Sequence, residues 1–150
     1  MNQPLVSVII PSYNRQYSLA KSIESALSQG YKNLEIIVID NRSTDNTPNI
    51  LAEFSKKDSR IRVVVNEQDL SLVKTLNKAI RISIGKYIAR LDDDDVWLDA
   101  HKIEKQVAIL EADHDYVLVG TGVITVNEHG KEMSRTLLPQ KHHQIVDAML

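Results

Sequence analysis

The sequence predicts an α/β fold in which helices flank a mainly parallel central sheet. Short apolar, β-branched runs alternate with helical patterns four times along the chain. Polar residues collect directly after the predicted strands, at the edge where open α/β sheets bind ligands. At 150 residues, of which 43% are hydrophobic, the chain is long enough to bury the core of one domain over residues 1–150.

The first part of the chain contains two strand–helix units. Residues 5–10 form an apolar, β-branched run that ends at Pro11, and residues 34–39 form the most hydrophobic strand pattern. Thr47 is the expected N-cap of the second helix, with Pro48 at the first helical position. The first helix has an apolar face formed by Leu19, Ile23, Ala26 and Leu27.

The alternation continues through the middle of the chain. Residues 61–65 have the composition of a third strand, and residues 86–91 follow as a fourth, after Gly85 has stopped the intervening helix. That helix is predicted over residues 70–84, where apolar residues recur at helical spacing: Leu72, Val73, Leu76, Ala79 and Ile80.

The last third of the chain no longer alternates in this way. Two strands, residues 116–126 and about 131–137, are predicted with a turn at residues 128–130. Residues 144–150 have the pattern of a helix that no cap or glycine closes, so we expect a domain that is cut at its C-terminal end. Before these strands, a helix over about residues 99–110 would bury Ile103, Val107 and Leu110.

Composition excludes several classes of function. The formal net charge is −2, so no strong field draws the chain to nucleic acid or anionic lipid. There are no cysteines, which excludes zinc–thiolate sites, and the five histidines are not spaced as zinc ligands. No apolar run approaches the roughly 20 residues that span a bilayer, and the N-terminus lacks a signal-peptide pattern. We therefore expect a cytoplasmic location, no nucleic-acid partner, and membrane association only through regions outside this sequence.

Four consecutive aspartates, Asp92 to Asp95, follow the fourth predicted strand. Like charges at this spacing repel, and each raises its neighbours' pKa unless a cation or hydrogen-bond donors offset the repulsion. Hard carboxylate oxygens suit Mg²⁺, Mn²⁺ or Ca²⁺, so the run favours a divalent metal site. The alternative is a solvated turn, although the position after a buried strand and before Trp97 favours the metal.

A bound nucleotide would have to be held by side chains and a metal, because the sequence contains neither a glycine-rich dinucleotide motif nor a P-loop. Asp40 could accept a hydrogen bond from a base imide, Tyr13 could stack on the base, and the aspartate run could reach a diphosphate through a shared metal. Helix capping by Asp40 or Asp45 is the alternative, as are ordinary packing for Tyr13 and a solvated surface position for Lys74.

Several segments, in order along the chain, together resemble family 2 glycosyltransferases. The resemblance covers about residues 5–110, and the segments are Pro11-Ser12-Tyr13-Asn14-Arg15, residues 24–29, residues 37–45, residues 76–80, residues 85–88 and Leu91-Asp92-Asp93-Asp94-Asp95. It implies a Rossmann-like GT-A fold, a nucleotide-sugar donor, and inverting transfer of the sugar to a hydroxyl of a saccharide or lipid-linked acceptor. Such reactions belong to cell-surface polysaccharide biosynthesis.

The resemblance also implies roles for individual residues at the nucleoside. Tyr13 and Asp40 would hold the nucleobase, usually uracil, with Asn41 beside them. Pro11 and Ser12 belong to the same first loop and complete this part of the predicted nucleotide site.

At the other end of the predicted site, the resemblance identifies the aspartates as the family's Asp-x-Asp motif. Asp94 would be the metal ligand for Mn²⁺ or Mg²⁺, assisted by Asp92, while Asp92 and Asp93 would contact the metal's waters or the ribose. Lys74 is included among the nucleotide-binding candidates, and Asp95 has no assigned role.

Two departures from the family pattern bear on function. Asn41 and Arg42 stand where the family often has an aspartate and a glycine; the Asn41 carbonyl can still accept from a base imide, which favours uracil and allows thymine. The family's general base is expected beyond residue 150, since Glu128 and Glu132 have the pattern of solvated glutamates, so no catalytic residue is identified in this chain. A nucleotidyltransferase and a nucleotide-sugar-binding module without turnover are the alternatives.

Overall fold

The computed structural model describes residues 3–137, 141 and 144–145. Strands and helices alternate as predicted, and the α/β fold with a parallel central sheet is confirmed. In chain order the elements are β1 (Val6–Ser12), α1 (Leu19–Leu27), β2 (Leu34–Asp40), α2 (Thr47–Lys57), β3 (Ile61–Val65), α3 (Leu72–Ile82), β4 (Tyr87–Arg90), α4 (Lys102–Ala112), β5 (Val123–Val126) and β6 (Glu132–Thr136).

The central sheet has the strand order β3-β2-β1-β4, and all neighbouring strands run parallel. After β1 the chain adds β2 and then β3 on one side, and it then crosses to place β4 on the other side of β1. The topological switch point therefore lies between β1 and β4, where ligand sites of open α/β sheets form.

The first strand runs through Pro11 to Ser12, although the sequence predicted that Pro11 ends it. Ser12 O accepts from Asn41 N at 2.8 Å on the β2 side, whereas Ile9 O accepts from Leu91 N at 3.1 Å on the β4 side. Bonding direction alternates along a strand, so Pro11 faces the β4 side, where β4 has already ended at Arg90. The missing N–H of the proline therefore removes no ladder hydrogen bond.

The core lies on both faces of the sheet. Val6, Val8 and Ile10 of β1 share one face with apolar residues of α1, α2 and α4. Of the positions predicted to be buried on α4, Ile103 and Val107 are buried there, whereas Leu110 is only half-buried. Alternate residues of the strands point to the opposite face, where Ile9, Ile37 and Ile39 pack with Ala79 of α3.

The apolar residues of α3 are less buried than the sequence pattern predicted. Leu72 is 52% exposed, Val73 66% and Ile80 46%, and the helix buries the polar Thr75 together with Ala79, which was one of the five apolar positions. The helical spacing was predicted correctly, but the direction of the helix on the sheet places its small and polar residues inward.

The start of α2 differs from the predicted cap. Thr47 is the first helical residue and not the N-cap, which is Asn46. Asp45 Oδ1 accepts from Thr47 N at 2.9 Å, so this aspartate satisfies a free N–H of the first turn. The Thr47 hydroxyl instead accepts from Arg15 N at 2.9 Å and ties the loop after β1 to this helix.

Contacts divide the chain into two compact units, Met1–Val107 and Ala108–Leu150. In the second unit β5 and β6 form the predicted antiparallel hairpin. The predicted strand over residues 116–126 is wrong in its first part, because residues 116–122 pair with no strand among the described residues; Val117, for example, is 91% exposed. The helix expected at residues 144–150 lies largely outside the described residues.

Candidate functional site

A cleft of about 540 Å³ opens at the carboxyl ends of the parallel strands. The loops after β3, β2, β1 and β4 contribute to it in that spatial order, which spans three inter-strand spacings, or about 14 Å. Its lining residues are Pro11, Ser12, Tyr13, Arg15, Asn41, Asp69, Leu70, Leu72, Thr75, Asp92, Asp93 and Asp94. The cleft is therefore elongated, with acidic groups from β4 at one end and the loop after β3 at the other.

Most of the predicted site residues meet in this cleft, and two do not. Asp40 is 2% exposed, does not line the cleft, and accepts a hydrogen bond from Ser43 N at 3.0 Å through Oδ1. Lys74 is exposed on the first turn of α3 and also lies outside the lining. The predicted residues that line it are Pro11, Ser12, Tyr13, Asn41, Asp92, Asp93 and Asp94.

Asp93 is the buried member of the aspartate run. Its Oδ2 accepts from Tyr13 N at 3.2 Å, and its Oδ1 lies 3.3 Å from Arg15 Nε. Burial raises the pKa of Asp93, and the nearby Asp94 raises it further. The Ser12 hydroxyl, the Tyr13 N–H and Arg15 act in the opposite direction on this pKa, although Ser12 Oγ itself meets no partner at hydrogen-bond geometry.

Two other aspartates of the run, Asp92 and Asp94, are paired with arginines. Arg90 holds Asp92 with two hydrogen bonds, Nε to Oδ1 at 2.7 Å and Nη2 to Oδ2 at 2.9 Å. Arg15 Nη2 lies 3.6 Å from Asp94 Oδ2. Burial raises the pKa of Asp95, and the charges of Asp92 and Asp94 add to that rise. Much of the repulsion among the four carboxylates, which the sequence predicted a cation or hydrogen-bond donors to offset, is thus offset by the guanidinium groups of Arg15 and Arg90.

Polar residues of α1 hold the segment that follows the aspartates. Ser22 Oγ donates to Asp95 O at 2.7 Å, and Ser25 Oγ accepts from Trp97 N at 3.1 Å. Gln29 is fully buried; its amide donates to the Asp99 carbonyl at 3.0 Å and accepts from Ile103 N at 3.2 Å. The sequence matched residues 24–29 to the family but predicted no contact for them, although polar residues at helical spacing on and just after the apolar face of α1 are a usable signal for buried polar contacts.

The opposite end of the cleft is organised by Asn41. Its side-chain amide donates to Asp69 Oδ1 at 2.6 Å and to Leu70 O at 2.8 Å. Its carbonyl oxygen accepts from Asn66 Nδ2 at 2.8 Å and from Leu70 N at 2.9 Å. These bonds fix the loop between β3 and α3 against the end of β2.

A second layer of contacts supports this loop from below. Asn66 also donates to Thr75 Oγ1 at 3.1 Å and accepts from Lys78 Nζ at 2.9 Å. Sequence reasoning missed the lining residues Asp69, Leu70, Leu72 and Thr75. Asp69 and Leu70 lie in the loop after β3, and Leu72 and Thr75 lie at the start of α3.

The donor set fits a divalent metal that is shared with a ligand. No group of three or more His, Cys, Asp or Glu side chains among the described residues could enclose a metal. Asp92 and Asp94 nevertheless both line the cleft. Mg²⁺ commonly keeps several waters and binds through one or two carboxylates together with substrate phosphates, which matches this arrangement.

Neither of the two glutamates considered in the sequence is placed as a catalytic base. Glu128 and Glu132 are both exposed, and Glu132 accepts from Arg135 Nη2 at 3.1 Å. This arginine lowers the pKa of Glu132, which weakens it as a base.

The comparisons with known proteins identify the family. The model of the protein family described as Glycosyl transferase family 2 matches residues 7–148 of the chain. This chain belongs to that family. The GT-A fold and the resemblance seen in the sequence motifs are confirmed by this match and by the solved structures it resembles.

The chain is similar to several proteins of known name. UDP-Glc:alpha-D-GlcNAc-diphosphoundecaprenol beta-1,3-glucosyltransferase WfgD of Escherichia coli is 37% identical over 141 residues, which are 94% of this chain and 54% of WfgD. The mannosyltransferase PcManGT from Pyrobaculum calidifontis, solved with GDP-Man and Mn²⁺, is 26% identical with a TM-score of 0.68 over 73% of this chain and 33% of its own. S. aureus TarS 1-349, solved with UDP-GlcNAc, is 25% identical with a TM-score of 0.67 over 73% and 32%.

The family 2 chain spans about half the length of the curated relatives it matches. In the part of the chain that the structure describes, no helix is both long and apolar enough to cross a bilayer. The expected cytoplasmic location stays a prediction.

Proposed function

We propose that this chain is the donor-binding part of a metal-dependent glycosyltransferase that uses a nucleoside-diphosphate sugar, with a UDP-sugar favoured, and transfers the sugar with inversion. The observation that carries this proposal is the cleft at the strand ends, because along its length of about 14 Å it joins the loop after β3, a partly exposed aromatic ring and a carboxylate pair. An elongated ligand with a flat base at one end and a diphosphate at the other suits this arrangement.

The nucleoside would lie toward the β2 and β3 loops. Tyr13 lines the cleft and is 47% exposed, so its ring is available for stacking on a base. Leu70 and Leu72, which follow β3, provide an apolar wall at the far end of the cleft. Asp40 supports this end from beneath through its bond to Ser43 N, and the base contact that the family resemblance implies for Asp40 stays a prediction, because Asp40 does not line the cleft.

The diphosphate would lie toward the aspartate run. Negative charge builds on it as the bond to the sugar breaks, so groups that stabilise this charge accelerate transfer. Bound Mn²⁺ or Mg²⁺, held by Asp94 with Asp92, would supply that stabilisation as a Lewis acid. Arg15 lines the same end and is half exposed, so its guanidinium can also meet phosphate oxygens.

The similar proteins support the chemistry and leave the acceptor open. PcManGT was solved with a nucleoside-diphosphate sugar and Mn²⁺, and TarS with UDP-GlcNAc. WfgD is named for transfer from UDP-Glc to a diphosphoundecaprenol-linked sugar, which favours a lipid-linked saccharide acceptor here. Family membership disfavours the nucleotidyltransferase alternative. A binding module without turnover is the remaining alternative for this half-length chain.

Calorimetric titration of the 150-residue chain with UDP, in Mn²⁺ and then in EDTA, tests the proposal. We expect UDP to bind with Mn²⁺ and to lose at least about tenfold in affinity without it, which is about 1.4 kcal/mol. Asp94→Asn should reproduce most of this loss in the presence of Mn²⁺. Glu104→Gln is the matched control, because Glu104 is an exposed acid on α4 that pairs with His101 and lies outside the cleft.

Metal-independent binding, or no binding of UDP at all, would contradict the proposal. A donor-hydrolysis assay on UDP-sugars then separates an enzyme from a binding module, because a module without turnover binds the donor and releases no UDP.

A further inference from the structure

We propose that Asp69 reads the imide edge of the nucleobase and thereby selects uracil over cytosine. This inference rests on the proposed nucleotide-binding function of the cleft and deepens it, since it assigns base selection to a residue in the loop between β3 and α3.

Asn41 is not available for this role, although the sequence suggested its carbonyl as an acceptor for the base. An asparagine carbonyl oxygen has two lone pairs and its amide has two N–H donors. In this structure the carbonyl already accepts from Asn66 and Leu70, and the amide already donates to Asp69 and to the Leu70 carbonyl. Asn41 therefore acts as a positioning residue that is saturated by the protein.

What Asn41 positions is the carboxylate of Asp69. Asp69 lines the cleft and is exposed to it, and its Oδ1 is fixed by the 2.6 Å hydrogen bond from Asn41. The bond orients the carboxylate while Oδ2 is left to meet a ligand. Within the described residues no lysine or arginine forms an ion pair with Asp69, in contrast to Asp92, Asp93 and Asp94.

The location of Asp69 suits a contact with the base and not with the diphosphate. It follows β3, at the opposite end of the sheet from the aspartates after β4. Leu70 and Leu72 line the cleft beside it, and a base bound against these leucines would shield a hydrogen bond to the carboxylate from water, which strengthens it. The negative charge of Asp69 would also repel a diphosphate at this end of the cleft, which disfavours a nucleotide bound with its base and diphosphate exchanged.

The chemistry of the pyrimidine edge gives the selection a definite sign. Uracil presents an N3–H donor between two carbonyl oxygens, and a carboxylate accepts this donor in a charge-assisted hydrogen bond. Cytosine presents an unprotonated N3 at the same place, whose lone pair faces the carboxylate without a proton between them. A fixed carboxylate therefore favours UDP and disfavours CDP.

The experiment measures the dissociation constants of UDP and CDP by calorimetry in saturating Mn²⁺, for the parent chain and for Asp69→Asn. The asparagine has the same shape, and its carbonyl can still accept from Asn41, so the loop is retained. Asp69→Asn should lower the ratio of the CDP to the UDP dissociation constant by about tenfold, as expected for the loss of a hydrogen bond to a charged group. Glu67→Gln is the matched control, because it removes an equal charge from an exposed position on the same loop and should leave the ratio unchanged.

The outcomes separate a reading role from a structural one. If Asp69 only stabilises the loop, Asp69→Asn weakens UDP and CDP equally, the ratio stays constant, and the inference is overturned. A parent chain that does not distinguish UDP from CDP overturns it as well. If the parent binds UDP in a metal-dependent way and only the ratio fails to respond, the proposed function stands without this inference. If the parent binds neither nucleotide, both the role of Asp69 and the proposed function are contradicted.

Discussion

Arg15 Nε lies 3.3 Å from Asp93 Oδ1 and joins the loop after β1 to the aspartates after β4. The same guanidinium reaches Asp94 at 3.6 Å, while Arg90 holds Asp92. The acidic run is therefore part of a charge network with two arginines of the chain itself. A metal at Asp94 would have to compete with Arg15 for the carboxylate.

Arg15→Ala should strengthen the binding of Mn²⁺ in the absence of nucleotide. Removing a competing positive charge makes the aspartate run more negative, and an exposed charge pair is worth up to about 1 kcal/mol, so we expect an increase of up to about fivefold. Titration of Mn²⁺ followed by electron paramagnetic resonance measures the free ion directly. Arg62→Ala is the control, because Arg62 lies on β3 and donates to Ile82 O. If Arg15→Ala binds Mn²⁺ as weakly as the parent or more weakly, Arg15 and Mn²⁺ do not compete for the aspartates.

The location of the site could be predicted from the sequence because it depends on the order of the elements. Four strand–helix units imply a parallel sheet, and a parallel sheet brings Tyr13 and the aspartate run to one edge. The residues of the first loop and the aspartates accordingly line one cleft.

The pairing of side chains within the site could not be predicted in the same way. Arg15 is 78 residues from Asp93 in sequence, and Asn41 is 28 residues from Asp69. Which partner each side chain meets depends on loop geometry, which no local periodicity records. The same applies to Asp40, whose position directly after β2 was predicted but whose carboxylate is covered by the loop that follows.

Gly85→Ala should destabilise the fold by about 1–3 kcal/mol, the range for overpacking a closed site. A Cβ at this position would lie 2.6 Å from both the backbone nitrogen and the Oγ of Ser7. The Ser7 hydroxyl also accepts from Gly85 N at 2.9 Å, so the two backbones cannot separate without losing this bond. Urea unfolding followed by circular dichroism measures the change.

The neighbouring Ile84 provides the control for this prediction. Its side chain is 76% exposed, so Ile84→Ala should change the free energy of unfolding by less than about 0.5 kcal/mol. A Gly85→Ala variant as stable as the parent would show that the approach of Gly85 to Ser7 is not tight.

Asp58→Asn should lower stability at neutral pH and not in acid. Arg60 donates to both carboxylate oxygens of Asp58, at 3.0 and 2.7 Å, and holds its pKa below the ordinary 3.8. A pKa that is lower in the folded state contributes stability above the unfolded value, and that stability is lost as the pH falls through the folded value.

We therefore expect Asp58→Asn to cost about 1 kcal/mol at pH 7, with the gap to the parent closing as the pH falls below 3.8. Urea unfolding at a series of pH values checks this. Glu67→Gln, at an exposed acid, should show no comparable gap at pH 7. If the difference in the free energy of unfolding between the parent and Asp58→Asn does not change with pH, the lost stability is due to the shape of the side chain and not to its charge.

Arg42→Gly should be more stable than Arg42→Ala. Arg42 has a φ of 64°, and its Nη1 donates to Glu67 O at 2.9 Å. Both variants lose this hydrogen bond, but only alanine keeps a Cβ in the left-handed region, which costs about 1–2 kcal/mol. Glycine's greater freedom in the unfolded chain offsets about 0.4–1 kcal/mol of that difference, so glycine should be favoured by about 1 kcal/mol or less. Glu53 in the interior of α2 supplies the opposite control. There Glu53→Ala should be more stable than Glu53→Gly by about 1 kcal/mol, because alanine is the better helix former. Equal stability of the two Arg42 variants in urea unfolding would mean that the loop relaxes to an ordinary φ when its side chain is removed.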